Sequence, residues 1–269
     1  TGLWGLARGG GEPRPGVVQL FETKTVMMQL HLLRKMAIPM KANSSIEKPR
    51  RVHHTSLCIA DPTNTPDSDQ VGLIRSLCVS VMISSDNHDA YNYIMSLVKV
   101  ALANDDGVFS YFEHEPEETR FPFYVNNIIV GYCTREFFDK LRNLKKLGVL
   151  GYLTEVYMKR DTDKWHTYHE VHVKTVASRP MRPVLVVKDG KLPILDFILD
   201  HPDAMQNRNN FAKLLDLNYV EYISVGEFLS SNTAVSVEAF LKNHMSRKYD
   251  YVELDPMMSM SVEIATQPY

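Results

Sequence analysis

A chain of 269 residues is long enough for two or three packed units rather than one small module. With 44% hydrophobic and 23% charged residues it lies near the average for globular proteins, which excludes a disordered, collagen-like or coiled-coil chain. Thirty Lys and Arg against thirty-two Asp and Glu give a formal charge of -2, so no global positive field points to nucleic acid and any basic surface is local.

In chain order, residues Thr1 to Gly16 are rich in Gly and Pro and predict a loop. From Val17 to Met36 apolar residues recur near helical spacing (Leu20, Thr25, Met28, Leu32, Met36) with Glu22, Lys24, Arg34 and Lys35 on a charged side, which predicts a helix stopped by Pro39. Met40 to Glu47 is short and polar and predicts an exposed loop with Lys41 and Lys48 at its two feet. Asp61 to Asp69, with Pro62 and Pro66, is a rigid, turn-dense stretch before the apolar run Val71 to Ile83. Asp89 to Ala103 has helical spacing, and Phe121 to Tyr132 predicts a hairpin about the turn-prone Asn126-Asn127 pair.

Thr134 to Leu147 predicts the clearest helix. Thr134 is its cap, Phe137, Phe138, Leu141 and Leu144 face the core, Arg135, Lys140, Arg142, Lys145 and Lys146 point outward, and Gly148 ends it. Leu153 to Lys159 and Trp165 to Thr175 predict a second hairpin turning at Arg160 to Asp163, followed by a strand from Val184 to Lys188 and a turn at Asp189-Gly190. Phe211 to Leu217, Val225 to Leu229 and Val235 to Met245 read as short helices. Mixed helices and short antiparallel hairpins make the expected fold class α+β, with several subdomains.

Cys58, Cys78 and Cys133 are widely spaced and include no Cys-x-x-Cys, which argues against a disulfide framework or a zinc ribbon and fits a reducing, intracellular compartment. No apolar run approaches the roughly 18 to 20 residues of a membrane span, and the start does not read as a signal peptide, so a soluble protein without membrane association is expected. The start at Thr1 and the end at Tyr269 read as those of a piece of a longer polypeptide.

Candidate chemistry is sparse. His166, His169, Glu170 and His172 offer metal-binding side chains, but the spacing is not His-Glu-x-x-His, and alternation on a strand separates His169 from the other three, so a hairpin surface is the better reading. Asp67, Asp69 and Gly72 mimic the opening of a calcium loop, yet Val71 and Cys78 stand where oxygen ligands are needed. Phosphate-loop, dinucleotide and serine-hydrolase motifs are lacking, so no self-contained catalytic set and no metal site is expected. What remains is positive charge: Arg34, Lys35, Lys41, Lys48, Arg50 and Arg51, with His53 and His54 beside it. Lys and Arg at this density can neutralise phosphates, although a charge run is often only a solvated face.

The order of segments resembles the middle of the second-largest (beta) subunit of multisubunit DNA-directed RNA polymerases. Thr1-Gly2-Leu3-Trp4-Gly5 is similar to that family's Thr-Gly-Asn-Trp-Gly, and Gly16-Val17-Val18-Gln19-Leu20 to its Gly-Val-Ser-Gln-Val. Leu33-Arg34-Lys35 resembles Leu-Arg-Arg, and Lys48-Pro49-Arg50-Arg51-Val52-His53-His54-Thr55 resembles Lys-Pro-Arg-x-Leu-His-x-Thr. Asp61-Pro62-Thr63-Asn64-Thr65-Pro66-Asp67-Ser68 stands where the family has Cys-Pro-x-Glu-Thr-Pro-Glu-Gly, and Gly72-Leu73-Ile74-Arg75-Ser76-Leu77 is similar to Gly-Leu-Val-Lys-Asn-Leu. Tyr124 to Gly131, Arg182 to Val187 and Tyr251 to Pro256 resemble three further family segments, so collinear matches run along nearly the whole chain.

That resemblance implies a fork region with its fork loop at 1–84, a first external domain at 85–187, a second at 188–235, and a return to the fork with the start of the hybrid-binding region at 236–269. It implies a transferase, a nucleotidyltransferase that transcribes a DNA template within a multisubunit complex, with two Mg2+ ions held outside this stretch and no catalytic residue within it. Arg34, Lys35, Lys41, Lys48, Arg50, Arg51 and His53 become candidates for contacting DNA template or nascent RNA, and Asn64, Thr65, Pro66 and Asp67 form the implied active-cleft turn. Implied partners are the nucleic acids, the largest subunit and the other subunits; the implied location is nucleus or cytoplasm, or a viral factory or virion for a viral protein. Asn64 replaces the family's acidic residue, keeping hydrogen-bond acceptance and losing charge, Ser68 replaces a Gly, and Leu57-Cys58 replaces an aromatic-Gly pair. Such drift suggests a divergent lineage such as a large DNA virus. A nucleic-acid or protein binding module that keeps the scaffold without catalysis is the alternative.

Overall fold

The computed structural model describes residues 21–40, 44–104, 106–110, 119–162, 167–201 and 210–267, and the chain divides into two units. The expected loop over Thr1 to Gly16 lies outside the described residues, as does Lys41. The first unit takes residues 1–52, 60–79 and 260–269. Its helix α1 (Val26–Arg34) begins after Thr25, whose side-chain oxygen accepts from the Met28 N–H at 3.1 Å. The helix is shorter than the expected span to Met36. Lys35–Ala37 instead forms strand β1, antiparallel to β2 (Ile74–Ser76) in the register Lys35↔Ser76 and Ala37↔Ile74. Extended pairing and Pro39 just ahead both oppose another helical turn. A 3-10 turn spans Lys48–Arg50, and the short helix α8 (Val262–Ala265) closes the unit.

The second unit takes residues 53–59 and 80–259. One of its two sheets has the order β4-β6-β5-β8-β7, built from β4 (Val108–Ser110), β5 (Phe121–Val125), β6 (Ile128–Cys133), β7 (Glu155–Thr162) and β8 (Thr167–Lys174). Asn126 and Asn127 both take positive φ, 50° and 67°, which suits the hairpin joining β5 to β6 because Asn tolerates the left-handed region. Helix α2 (His88–Asn104) buries Ile94, Val98 and Ala101, and α3 (Arg135–Lys146) buries Phe137, Phe138 and Leu141 against Phe123, Val156, Val171 and Val173 of the sheet. Each fully buried aliphatic or aromatic side chain there contributes roughly 1.5–3 kcal/mol.

The other sheet has the order β10-β9-β12-β11, with β3 (Met82–Ile83) pairing β9 as well; its strands are β9 (Pro180–Val186), β10 (Val220–Ser224), β11 (Thr233–Ala234) and β12 (Tyr251–Val252). Helices α4 (Pro193–Asp200), α5 (Asn210–Asp216), α6 (Val225–Leu229) and α7 (Val237–Asn243) complete the unit. Leu185, Ile194, Leu214, Val220, Phe240 and Val252 belong to its core.

Four expectations change. Strand β7 continues through Arg160 to Thr162, so the hairpin turn starts later than Arg160. Strand β9 begins at Pro180, with Pro183 inside it, because β10 and β12 pair along it and hold it extended. Neither α4 nor β10 was foreseen from periodicity. Arg142 and Lys145 do not point outward from α3: the Lys145 side chain is 1% exposed and that of Arg142 16%. They follow Phe138 and Leu141 by one helical turn and so lie on the apolar stripe, where Glu221 and Glu227 meet them.

On β8, Glu170 and His172 share a face, His172 Nε2 lying 3.1 Å from Glu170 Oε2 and its ring stacking on Tyr124 and Tyr157. His166 is outside the described residues. All three cysteines are free thiols, and burial pushes the Cys133 thiol up to about 12.

Candidate functional site

The first unit converges on the Asp61 bend. Asp61 is fully buried. Its Oδ1 accepts from the Thr63 N–H at 2.8 Å, the Thr63 hydroxyl at 2.7 Å and the Asn64 N–H at 3.3 Å, a turn that a short carboxylate next to proline makes locally. Its Oδ2 accepts from the Ser261 N–H at 2.6 Å, which ties the bend to the start of α8. Burial alone would raise the pKa of this carboxyl; donors from Thr63 and Ser261 outweigh it and hold Asp61 below its ordinary 3.8.

Asn64 is half-buried and donates through Nδ2 toward Ser76 Oγ at 3.3 Å, Ser261 Oγ at 3.0 Å and Glu263 Oε2 at 3.0 Å. Glu263 Oε1 lies 2.9 Å from His31 Nδ1, and Ser76 Oγ lies 3.3 Å from the same nitrogen. Burial opposes the charge on Glu263, but its backbone N–H, the Ser261 hydroxyl and His31 hold it below its ordinary 4.5. A carboxylate therefore does stand at the bend: it reaches Asn64 from α8. His31, Ser76, Ser261 and Glu263 were absent from the sequence-based set; Glu263 lies 199 residues from Asn64, and nothing local marks it.

The cationic segment lies against the same bend. Thr65 Oγ1 accepts from the Gly72 N–H at 2.8 Å, closing a loop whose outer residues, Asp67 among them, are exposed while Pro66 is half-buried. Arg50 Nη1 donates to the carbonyls of Asp69 at 2.7 Å and Val71 at 3.0 Å, and Arg75 Nη2 donates to the carbonyls of Arg50 at 2.8 Å and Arg51 at 2.9 Å. Two guanidinium groups thus join the two segments through backbone oxygens. Arg34 acts similarly, donating to the carbonyls of Cys78 and Val79. Lys35 is half-buried on β1.

The exposed cations are Arg51, which pairs with Glu47 at 3.0 Å with both side chains about two-thirds open, and Lys48, which has no ion-pair partner among the described residues. His53 belongs to the second unit, where its ring nitrogen accepts from the Thr55 N–H and its ring packs on His54 at 4.0 Å.

Gly72 is the tightest point of the bend. It has φ +72°, and a Cβ there would run into the Arg50 carbonyl. Gly72→Ala is expected to cost roughly 1–2 kcal/mol for the left-handed backbone alone, with the displacement of Arg50 added. The thermal midpoint falls by several degrees; an unchanged midpoint would mean that the turn carrying Arg50 is free to move.

At the bend the Ser76 hydroxyl meets His31 only at the nitrogen that Glu263 already takes, and Mg2+ does not fit there. Asp61 commits both oxygens to N–H and O–H donors, Glu263 commits both to Asn64 and His31, and among the described residues no group of three His, Cys, Asp or Glu could hold a metal ion. The arrangement positions backbone and presents cations.

The family described as RNA polymerase Rpb2, domain 3, matches residues 19–83, the stretch that carries this bend. Across the whole chain, subunit RPB2 of DNA-directed RNA polymerase II from Encephalitozoon cuniculi is 24% identical, with 23% of that relative covered. Subunit RPC2 of RNA polymerase III from Saccharomyces cerevisiae is 21% identical over 100% of the chain and 22% of the relative. Subunit Rpo2 of the polymerase of Sulfolobus acidocaldarius is 23% identical over 95% of the chain and 22% of the relative. The chain thus spans less than a quarter of the length of these curated relatives.

Proposed function

We propose, of a chain that belongs to the second-largest (beta-type) subunit family of multisubunit DNA-directed RNA polymerases, that it contributes a fork-side wall of the active cleft and handles template DNA and nascent RNA during transcription. In this reading the assembled enzyme transfers nucleotidyl groups from NTPs under template direction, inside the cell and together with the largest and the other subunits. Residues 1–84 act as fork region, 85–187 and 188–235 as the two external domains, and 236–269 as the return to the fork. Mg2+ supplies Lewis-acid activation of the attacking hydroxyl and is held by residues outside this stretch.

The observation that carries the reading is the joining of the basic segment to the bend. Arg50 and Arg75 are consumed by carbonyl oxygens, so they shape the wall, while Lys48 and Arg51 stay on its exposed side. Phosphate backbone is the fitting ligand for such a pair, because cations on an exposed rim attract it by charge without reading bases. The bend contributes rigidity: Asp61, Asn64 and Glu263 hold it from α8, so the exposed cations rest on a fixed base.

The test is Lys48→Ala with Arg51→Ala in the assembled polymerase, sparing Arg50 because its loss would disturb the bend itself. Template binding is expected to weaken, and the slope of log Kobs against log salt to become shallower by about 1.4 to 1.8, since each phosphate that is no longer neutralised removes roughly 0.7 to 0.9 from it. An unchanged slope and unchanged elongation would remove nucleic acid as the ligand of this segment and favour the binding-module alternative.

A further inference from the structure

The outer edge of the five-stranded sheet in the second unit carries a separate site. Strand β7 is last in the order β4-β6-β5-β8-β7, so β8 pairs only one of its sides. At Val156 the outward side is already taken: its N–H donates to Glu227 Oε1 at 3.1 Å and its carbonyl accepts from Arg142 Nη1 at 3.3 Å. Backbone direction alternates with a period of two along a strand, so the N–H and C=O groups of Met158 and Arg160 face the same outward way. Among the described residues no other strand pairs that side.

Two clefts of about 620 and 640 Å3 open on this stretch, and both are lined by Tyr157, Met158, Arg160 and Ser230. The larger has Lys159, Arg160, Lys174 and Arg179 in its walls against the single carboxylate Glu155, which Arg179 pairs at 3.4 Å. Lys159 lies 3.6 Å from Glu170 and Lys174 rests over the Tyr157 ring, so on this face the cations already have partners; alternation puts the exposed Arg160 on the opposite face of β7, opposite His169. The floor of the cleft is apolar: Val225 lines it, as does Leu229, which is 51% exposed. Gly226 lets α6 come this close, since a Cβ there would meet Glu155 Oε1 at 2.6 Å and the Tyr157 ring at 2.7 Å.

These features select among ligands. A nucleic acid would need a ring to stack on, and in this cleft Tyr157 is already engaged by the His172 ring at 5.1 Å and by the Lys174 ammonium at 5.6 Å. A phosphate backbone would leave Leu229 uncovered. A second copy of β7 would bring Lys159 and Arg160 against their own kind, which is how charged edges prevent self-pairing. An extended protein segment with carboxylates and small aliphatic side chains meets all three demands.

We propose that the Met158–Arg160 edge of β7 accepts such an acidic segment of a partner protein as an added strand. Its main chain pairs with the open N–H and C=O groups, aliphatic side chains on one face cover Leu229, and carboxylates on the other face Arg160. This site is independent of the nucleic-acid reading of the first unit.

The test uses the full-length subunit and a fluorescent peptide of about ten residues, long enough for one strand, alternating valine with glutamate. Three comparison probes are a valine–lysine peptide, a valine–glutamate peptide N-methylated on its bonding edge, and a single-stranded oligonucleotide. The acidic peptide is expected to bind, to slow amide exchange at Met158 and Arg160, and to lose at least about tenfold in affinity with Arg160→Glu. The N-methylated and lysine peptides are expected to bind at least about tenfold more weakly. Absence of binding, indifference to the charge reversal, or unchanged exchange at Met158 and Arg160 would each overturn the proposal. So would an oligonucleotide that binds with the same dependence on Arg160, which would make the ligand a nucleic acid.

Discussion

Replacing Glu227 with alanine is expected to destabilise the second unit by about 3–5 kcal/mol, the cost of leaving buried charge without its partner. Glu227 is 2% exposed and does several jobs at once. Its Oε1 accepts from Arg142 Nη1 at 2.8 Å, from Lys145 Nζ and from the Val156 N–H at 3.1 Å, and its Oε2 accepts from the Ser224 N–H at 2.9 Å. In return its own N–H donates to Ser224 Oγ at 3.2 Å, which makes a capping box for α6.

Lys145 also donates to the Tyr222 carbonyl at 2.8 Å, and Glu221 lies 3.3 Å from Lys145 and 3.1 Å from Arg142. Two cations and two carboxylates therefore balance in a site where only Arg142 keeps some exposure. Burial works against the charges on Arg142 and Glu221, yet their opposite partners prevail, so Arg142 is held above its ordinary range and Glu221 below its own. Removing Glu227 leaves two cations facing one carboxylate and strips α6 of its cap. Glu227→Gln keeps an acceptor for the cap and is expected to cost less; Lys145→Met keeps the cap but leaves Arg142 alone against two carboxylates, so it is expected to cost more than Glu227→Gln and less than Glu227→Ala. Urea unfolding of the three variants checks the order; a Glu227→Ala cost under about 1 kcal/mol would mean that water reaches the cluster.

Replacing Asp61 with alanine is expected to destabilise the first unit by a similar amount. The change orphans the N–H groups of Thr63, Asn64 and Ser261, each costing roughly 1–3 kcal/mol where water cannot replace the acceptor. Asp61→Asn preserves the Thr63 contacts on one oxygen and sets an amide donor against the Ser261 N–H, so its cost falls between wild type and alanine.

The same carboxylate predicts an acid limb. Asp61 and Glu263 are both held below their ordinary values of 3.8 and 4.5. A depressed folded-state value adds stability that is fully present above the ordinary value and is lost as pH falls through the folded one. The first unit should therefore keep its stability from neutrality down to about pH 5 and lose it progressively below, and Asp61→Ala should flatten that loss. Thermal midpoints measured across that range decide the point: a variant as acid-sensitive as wild type would place the titration elsewhere.

Elements specified by neighbouring residues were legible without coordinates. Thr134 accepts from the Phe137 N–H as the cap that starts α3, Asn126-Asn127 makes the hairpin turn, and Asp61-Pro62-Thr63 makes the bend. Each depends on contacts no more than three residues apart, so composition and spacing suffice. Helix α2 and helices α5 to α7 were readable from periodicity for the same reason. The cationic segment and the bend stand out in the sequence as well, but spacing does not separate Arg34 and Arg50, which bind carbonyl oxygens, from Lys48 and Arg51, which are exposed. A guanidinium has the same formula in both roles, and only the placement of backbone oxygens separates them.

What the amino-acid order determined by itself is therefore the local grammar: caps, turns, apolar stripes, and a collinear series of segments that carries the resemblance to beta-type polymerase subunits. What only the tertiary structure decided is which charges meet. Glu263 closes on Asn64 and His31 from the far end of the chain, and Glu221 and Glu227 draw Lys145 and Arg142 inward from a face that charge alone would assign to solvent. The reason is that a buried ion is stable only with its counter-ion in reach, and long-range folding, not spacing along the chain, sets that distance.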